Sequence, residues 1–184
     1  MRITLVNLAY YLDRSVMEYP KNIAVEESGR QVLFEDFGKM AENLAIYLSK
    51  IGVERNDRIG ILLPMSVDYL LSFYAAWKIG AVAVPINNRF SVGDIQFVID
   101  DAGLKCLLLS VQEKERLAPV LNQNVSLKII VQGPGYAVNS FDQIYKSDYP
   151  NNQAVSLGHN DCGYRFYPSF MRSPYNSDFF HFRM

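Results

Sequence analysis

The chain has 184 residues, of which 49% are apolar, 20% charged and 13% aromatic, and this composition is that of a globular protein. The length corresponds to one domain, or one domain with an incomplete piece, and excludes a large multidomain machine. The 18 basic and 19 acidic side chains give a net charge of -1, so the composition predicts neither a nucleic-acid partner nor attraction to an anionic membrane.

The cysteines and the apolar segments favour a cytoplasmic protein. Cys106 and Cys162 lie far apart, with no second ligand at metal-binding spacing, which favours reduced thiols over a disulfide framework or a zinc site. The first 20 residues lack the pattern of a signal peptide. The most apolar window, 69–86, is interrupted by Lys78, Gly80 and Pro85, so we expect buried core there and no transmembrane segment.

The first third of the chain predicts two helices separated by a β-hairpin. Helical spacing predicts the first helix over about 4–17, ended before Pro20, with Leu5, Leu8, Leu12 and Val16 on one face. The runs IAVEE and RQVLF flank Ser28 and Gly29 and predict the hairpin. Helical spacing returns between Asp36 and Ile51, where Gly52 stands at the position of a C-terminal cap.

Short apolar runs then alternate with helical segments. Strands are predicted over 58–63, 81–85, 106–110 and 127–131, and helices over 66–79, 91–102 and 112–121. Ser66 can cap the first of these helices, which is apolar almost all round and should be enclosed, and Ser91 and Asp94 have capping-box spacing. The order from Asp36, four helices alternating with four strands, predicts an α/β fold with a parallel sheet and helices on its faces.

The C-terminal part of the chain changes in composition. Residues 132–136 predict a loop, Ser140 can cap a short helix reaching Lys146, and 147–160 predicts a surface connection. Residues 163–184 hold eight of the 24 aromatic residues and contain no Ala, Val, Leu, Ile, Lys or Glu. We therefore expect a domain over 1–162 and an irregular aromatic-rich tail over 163–184.

The residue types that carry chemistry form no convincing catalytic constellation. The histidines His159 and His181 fall in polar or irregular stretches, Cys106 sits in an apolar strand, and Asp100 and Asp101 read as a solvated helix end. The glycines of Gln132–Gly133–Pro134–Gly135 favour a plain turn over a phosphate cradle. Arg165, Arg172 and Arg183 alternate with aromatic residues in the tail, as on surfaces that stack the bases of single-stranded nucleic acids. We interpret this alternation as a compositional accident of an unstructured tail. We predict no catalytic, cofactor-binding or metal-binding residue.

Two segments carry a specific resemblance to a known family. Val32 to Phe37, VLFEDF, resembles the motif L-T-Y-x-E-L, with Leu33 in place of threonine. Trp77 to Asn87, WKIGAVAVPIN, resembles L-K-A-G-x-x-x-V-P-[IL]-[DN], with direct matches at Lys78, Gly80, Val84 and Pro85. Over about residues 1–162 the chain thus resembles the N-terminal part of the AMP-forming, or adenylate-forming, ligases, which include acyl-CoA synthetases, coumarate-CoA-type ligases, luciferases and peptide-synthetase adenylation domains.

The resemblance implies an activity whose phosphate loop is missing from this sequence. Complete family members activate a carboxylic acid with ATP and Mg²⁺ and pass the acyl group to CoA or phosphopantetheine. Asp161, Gly163, Tyr167 and Ser169 can be aligned with the start of the family's phosphate loop, but the sequence then reads FMRSPYNSDFF, without the glycines and lysine of G-T-T-G-x-P-K-G. We expect a truncated ligase that is inactive alone, with a change of reading frame between Cys162 and Phe170.

Two alternatives remain open at this point. The chain could be one part of a split ligase, completed by a downstream ligase segment on another chain. It could also be a non-enzymatic α/β interaction module that uses an exposed face of an incomplete sheet. Because family members pack their N-terminal elements against later segments, we expect uncovered apolar surface that promotes self-association or binds such a segment.

Overall fold

The computed structural model describes residues 8–133, 140–147 and 149 of the chain. Its strands are β1 (Ile23–Glu27), β2 (Arg30–Leu33), β3 (Arg58–Leu62), β4 (Val82–Pro85), β5 (Cys106–Ser110) and β6 (Lys128–Gln132). Its helices are α1 (Ala9–Glu18), α2 (Phe34–Lys50), α3 (Val67–Lys78), α4 (Val92–Ala102), α5 (Val111–Arg116), α6 (Ala118–Gln123) and α7 (Phe141–Lys146).

Four strands form the parallel sheet that the alternating pattern predicts. Their order is β4-β3-β5-β6, and each pairs in parallel with its neighbours. The inner strand β5 reads CLLLS and is buried at every position, because helices cover both faces of the sheet. The predicted fold class, α/β with helices on both faces of a parallel sheet, is confirmed.

The alternation of side chains along the strands creates two cores, one on each face. One face, which we call the α2 face, is covered by α2, α3 and α7, and its sheet residues include Ile59, Ile61, Cys106, Leu108 and Ile130. The opposite face, which we call the α4 face, is covered by α4 and α6, and its sheet residues include Leu62, Val82, Val84, Leu107 and Leu109. Successive strand residues therefore enter opposite cores.

The N-terminal elements form a third, smaller cluster beside the sheet. The hairpin β1–β2 turns at Ser28 and Gly29, both at positive φ (50° and 81°), which confirms the predicted turn. Leu12 of α1 and Val32 of β2 pack with Phe37 of α2 and with α3. The hairpin and α1 are thereby attached to the same helices that cover the α2 face.

Most predicted helix limits agree with the structure to within two residues, and two features differ. The single helix predicted over 112–121 is wrong: α5 and α6 are separate helices, because Pro119 has no N–H to donate to the carbonyl of Glu115. The predicted helix after Ser140 exists, but the Ser140 side chain makes no capping hydrogen bond. Helix α3 is enclosed as predicted, since each of its residues is buried or half-buried.

Several predictions concern residues outside the described ranges. They include the part of the first helix before residue 8, the loop at 134–136, most of the connection over 147–160, Cys162, both histidines and the tail over 163–184. The proposed domain boundary at 162 stays a prediction.

Candidate functional site

The carboxyl ends of β3 and β6 bring together a polar cluster, defined here as Ser66, Asp68, Gln132 and Tyr145. Gln132 is the last residue of β6, and its Nε2 donates to Asp68 Oδ2 at 2.7 Å and to Ser66 Oγ at 3.3 Å. The hydroxyl of Tyr145, from α7, donates to Asp68 Oδ1 at 2.8 Å. The cluster occupies the edge of the parallel sheet at which α/β proteins bind their ligands.

Local sequence explains why Asp68 lies at the centre of this cluster. Ser66 is the N-cap of α3 and accepts a hydrogen bond from the Tyr69 N–H at 3.2 Å, which starts the helix directly after β3. Asp68 then falls in the first turn, where the helix dipole favours a carboxylate. The same arrangement places its two oxygens opposite donors from β6 and α7.

Burial controls the ionisation of the two acidic groups of the cluster. Desolvation raises the pKa of Asp68, although the hydrogen bonds from Tyr145 and Gln132 favour the carboxylate and oppose that rise. Burial, together with the charge of Asp68, raises the pKa of Tyr145 well above its ordinary value. Because both Asp68 oxygens accept protein hydrogen bonds, the cluster is arranged to hold elements together and offers no free carboxylate oxygen to a substrate.

A second polar contact joins α2 to the end of α7. The Asn43 side chain is 4% exposed, and its Nδ2 donates to the carbonyl oxygens of Tyr145 and Ser147, each at 3.0 Å. Tyr149 lies beyond this point, with the Lys50 ammonium 3.9 Å from its ring centroid. Side chains of α2 therefore follow the chain as it leaves α7.

At the other end of the same sheet edge, Arg116 fixes the connection after β4. Its Nη1 donates to the Phe90 carbonyl at 2.8 Å, and its Nη2 lies 2.6 Å from a Glu113 carboxylate oxygen. Ser110 caps α5 by accepting from the Glu113 N–H at 3.3 Å. These contacts satisfy the guanidinium within the protein and make it a structural cation.

A cleft of about 360 Å³ opens between β2, α2 and α7. It is lined by the cationic residues Arg30, Lys39 and Lys146 and by the anionic residues Asp36 and Asp142, with Tyr145 at one side. Cationic and anionic side chains from three elements thus share its wall, and this mixture does not select a ligand of one charge.

The two sequence motifs occupy joints of the scaffold. Val32 to Phe37 runs from β2 into α2, and Trp77 to Asn87 runs from α3 through Gly80, at φ 69°, into β4. Lys78, the motif lysine, is 14% exposed and bridges Asp13 at 2.6 Å and Glu42 at 2.9 Å. It joins α1, α2 and α3, so the motif residues that the structure describes have structural roles, as the sequence indicates.

The other candidate residues lie apart from the polar cluster. Cys106 is a free, fully buried thiol of β5, and burial raises its pKa to about 12, which keeps it unreactive. Asp100 and Asp101 are exposed at the end of α4, where Asp100 accepts from Gln96 Nε2 at 2.7 Å. Within the described ranges no group of His, Cys, Asp and Glu could hold a metal ion, and none of the helices there could cross a bilayer.

Sequence analysis missed Asn43, Asp68, Gln132 and Tyr145. Of these four residues, only Asn43 could have been found from the sequence, because it is a polar residue among the apolar positions of an amphipathic helix. Its partners lie 102 and 104 positions away, so no local pattern could identify them.

Comparison with known proteins gives one consistent result. The family model described as AMP-binding enzyme matches residues 12–169. The long-chain-fatty-acid–CoA ligase FadD13 of Mycobacterium tuberculosis is 27% identical over 170 residues, covering 89% of this chain and 32% of the relative. A plipastatin synthase of Bacillus subtilis is 31% identical over 102 residues, covering 55% of this chain and 4% of the relative.

Solved structures agree with the sequence relatives. The N-terminal domain of FACL13 from Mycobacterium tuberculosis superposes with a TM-score of 0.70 at 25% identity, covering 84% of this chain and 40% of that chain. The anthranilate CoA ligase AuaEII, at 20% identity, has the same fold with a TM-score of 0.74, covering 87% of this chain and 30% of that one. This chain spans about a third of the length of FadD13.

Proposed function

The chain belongs to the AMP-binding enzyme family, and from this premise we propose that it provides the N-terminal scaffold of an AMP-forming acid–thiol ligase. In the complete ligase, a carboxylate attacks the α-phosphate of ATP, pyrophosphate leaves, and the acyl-adenylate passes its acyl group to the thiol of CoA or phosphopantetheine. ATP, Mg²⁺ and that thiol are the cofactors and substrates of this proposal. A cytoplasmic location belongs to it as well, supported by the free thiol of Cys106.

The observation that carries the proposal is the agreement between the family match and the described scaffold. The match includes all four strands of the parallel sheet and both motif segments. Those segments form the joint from β2 to α2 and the joint from α3 to β4, on which the positions of the covering helices depend. The scaffold therefore supplies the framework on which a nucleotide site is built at the carboxyl edge of the sheet.

We propose further that this chain alone does not form acyl-adenylates. Backbone N–H groups of a small-residue loop normally surround the triphosphate, and they need close approach to the phosphates. After Ser169 this sequence places Phe170, Met171 and Arg172, whose bulk is incompatible with that approach. The chain accordingly contributes architecture, while phosphate binding requires residues that its sequence does not contain.

Pyrophosphate release tests this proposal. The purified chain is incubated with ATP, Mg²⁺ and a panel of carboxylic acids, with FadD13 as the active control, and ATP binding is measured by calorimetry on the same sample. We expect neither release nor binding. Release with any acid would overturn the assignment of a purely architectural role to this chain.

We propose a downstream ligase segment as the partner of the chain, or a second copy when that segment is absent. Large apolar side chains are exposed on α1 and at the start of β1, including Met17 at 84%, Tyr11 and Tyr19 at 53% and Ile23 at 46%. Light scattering of the purified chain should show self-association. A segment containing a phosphate loop, added in trans, should restore a monodisperse species and pyrophosphate release if the ligase is split.

The structure gives less support to an interaction module that uses an open sheet face. Helices cover both faces of the described sheet, with separate cores beneath α2 and α4. The outer edge of β4 also offers few donors to another strand. The N–H groups of Val82 and Ile86 point inward and donate to the Asp57 and Ile61 carbonyls, and Pro85 has no N–H. A ligase scaffold remains the proposed function.

A further inference from the structure

Helix α7 is too short to be stable through its own hydrogen bonds. It has six residues, and its N-cap residue Ser140 makes no side-chain capping bond. Phe141 and Ile144 insert into the core of the α2 face and are each 2% exposed. Two apolar anchors one turn apart hold one stripe of the helix, and they do not fix how its C-terminal end is oriented.

Asn43 contacts that end directly. The last carbonyl groups of a helix lack partners within the helix, and here Asn43 Nδ2 donates to the carbonyls of Tyr145 and Ser147 at 3.0 Å. Because Asn43 is 4% exposed, its amide would lose hydrogen bonds without gaining water if α7 moved away. The amide thus favours one position of the helix end over its alternatives.

Asp68 holds the same end from a different direction. Its Oδ1 accepts from the Tyr145 hydroxyl at 2.8 Å, and its Oδ2 accepts from Gln132 at 2.7 Å. A half-buried carboxylate with both oxygens engaged forms charge-assisted hydrogen bonds, which are stronger than neutral ones. Asp68 therefore joins α7 to the end of β6 and to the start of α3.

We propose that Asn43 and Asp68 are positioning residues, which together fix α7 against α2 and α3 and hold the end of α7 at Ser147 in one position. The inference rests on the proposed function, because the family match continues beyond α7 to residue 169. Neither residue touches substrate in this role.

Hydrogen–deuterium exchange of the full chain tests the proposal. Amide exchange is followed by mass spectrometry in peptides covering 141–147, with peptides from β5 reporting global opening. Asn43→Leu removes the two donated hydrogen bonds at nearly constant volume, and we expect exchange in α7 to rise at least about tenfold relative to β5. Tyr145→Phe removes only the hydroxyl that donates to Asp68, so it is the second variant if Asn43→Leu does not fold, and it should raise exchange in α7 about fivefold.

A matched control and a conservative variant separate positioning from packing. Ser91→Ala removes a cap on the opposite face of the sheet, so it should leave the ratio of α7 to β5 exchange unchanged. Asn43→Gln keeps the amide but is longer, whereas Asn43→Leu keeps the size but loses the donors. If the donors position α7, Gln protects the helix better than Leu; if the site only needs to be filled, Leu protects it better.

The outcomes are decisive and independent of ATP chemistry. A selective rise in α7 exchange with Gln ranked above Leu supports the proposal. Exchange in α7 that changes only in proportion to β5, or Leu ranked above Gln, overturns it. Since no nucleotide is present, failure of this test leaves the ligase assignment intact, and an inactive chain does not affect the test.

Discussion

The two faces of the parallel sheet are stabilised in different ways. On the α4 face, helices are held by apolar packing, by caps within a few residues, such as the capping box of Ser91 and Asp94, and by Arg58, whose Nε donates to the Ala102 carbonyl at 2.7 Å. On the α2 face, an equally apolar core is joined by polar contacts between residues far apart in sequence, including Asn43 to Tyr145 and Lys78 to Asp13. Apolar burial gives both faces their stability, while the polar contacts that orient the helices span 65 to 104 positions on the α2 face and 26 to 45 positions on the α4 face.

The largest expected effect tests whether apolar burial is equal on the two faces. Leu107 and Leu108 are neighbours on β5, both fully buried, and they enter the α4 and α2 cores respectively. Leu107→Ala and Leu108→Ala should each lower the free energy of unfolding by about 2–5 kcal/mol, from lost transfer energy and the cavity left behind. Urea denaturation measures both. A loss confined to one variant would contradict the view that the cores contribute equally.

The next effect concerns the ion triad of the α2 face. Lys78→Met leaves the carboxylates of Asp13 and Glu42 without their cation, and we expect a loss of about 1–3 kcal/mol. This expected loss is smaller than the loss for a fully buried ion pair, because the side chains of Asp13 and Glu42 are 53% and 27% exposed and their carboxylates can be hydrated. The control is Lys21→Met, at an exposed bridge to Glu35, which should cost clearly less than Lys78→Met. Equal losses of unfolding free energy in the two variants would show that the triad does not stabilise the arrangement of the helices.

The contrast between the faces also explains what sequence could predict. The capping box of α4 spans three residues, so its pattern is visible in sequence, and the structure confirms it. The partner of Asp68 lies 77 positions away in Tyr145, and which side chains meet there depends on how three elements pack. Pro119 shows the opposite case, because the break between α5 and α6 was encoded locally by its missing N–H and was still missed.

The same limit applies to the candidate site. The parallel sheet and its order of elements followed from apolar runs alternating with helical spacing, since burial on both faces imposes that pattern. This pattern did not predict the polar cluster. Ser66 indicated only a helix start, and Asp68 and Gln132 resembled ordinary polar residues near the ends of elements. Local signals predicted the scaffold, and tertiary contacts determined the cluster.

A smaller effect compares local capping on the two faces. Ser91→Ala removes the accepted hydrogen bond from the Asp94 N–H at 3.1 Å and should lower the free energy of unfolding by about 1 kcal/mol. Ser140→Ala, at the N-cap of α7, removes no capping bond and should cost less than half as much. Thermal or urea unfolding of both variants gives the comparison. A larger loss at Ser140 would show that α7 depends on its local cap and would weaken the role given to Asn43.

The smallest effect near neutral pH is a difference in pH dependence between the faces. The pKa of Cys106 rises from 9.0 to about 12 by burial, and the pKa values of Tyr145 and Lys78 are also raised, all on the α2 face. When the pKa of a group is higher in the folded state, the unfolded chain releases the proton at lower pH. The contribution of that group to folding stability is therefore complete below the pKa of the unfolded chain and is lost as pH rises above it. On the α4 face, hydrogen bonds from Ser91 lower the pKa of Asp94, and that contribution is lost only in acid.

Replacing the thiol isolates one part of this alkaline loss. Cys106→Ala creates a small cavity, which lowers stability at every pH, but it removes the ionisation of the unfolded thiol. The free energy of unfolding should therefore decline less steeply with rising pH above 9.0 in the variant than in the parent chain. Tyr145 and Lys78 still titrate in the variant, so its decline should be reduced and not abolished. Parallel slopes would mean that the Cys106 thiol becomes accessible before the α2 face unfolds, which would place local opening of that face ahead of global unfolding.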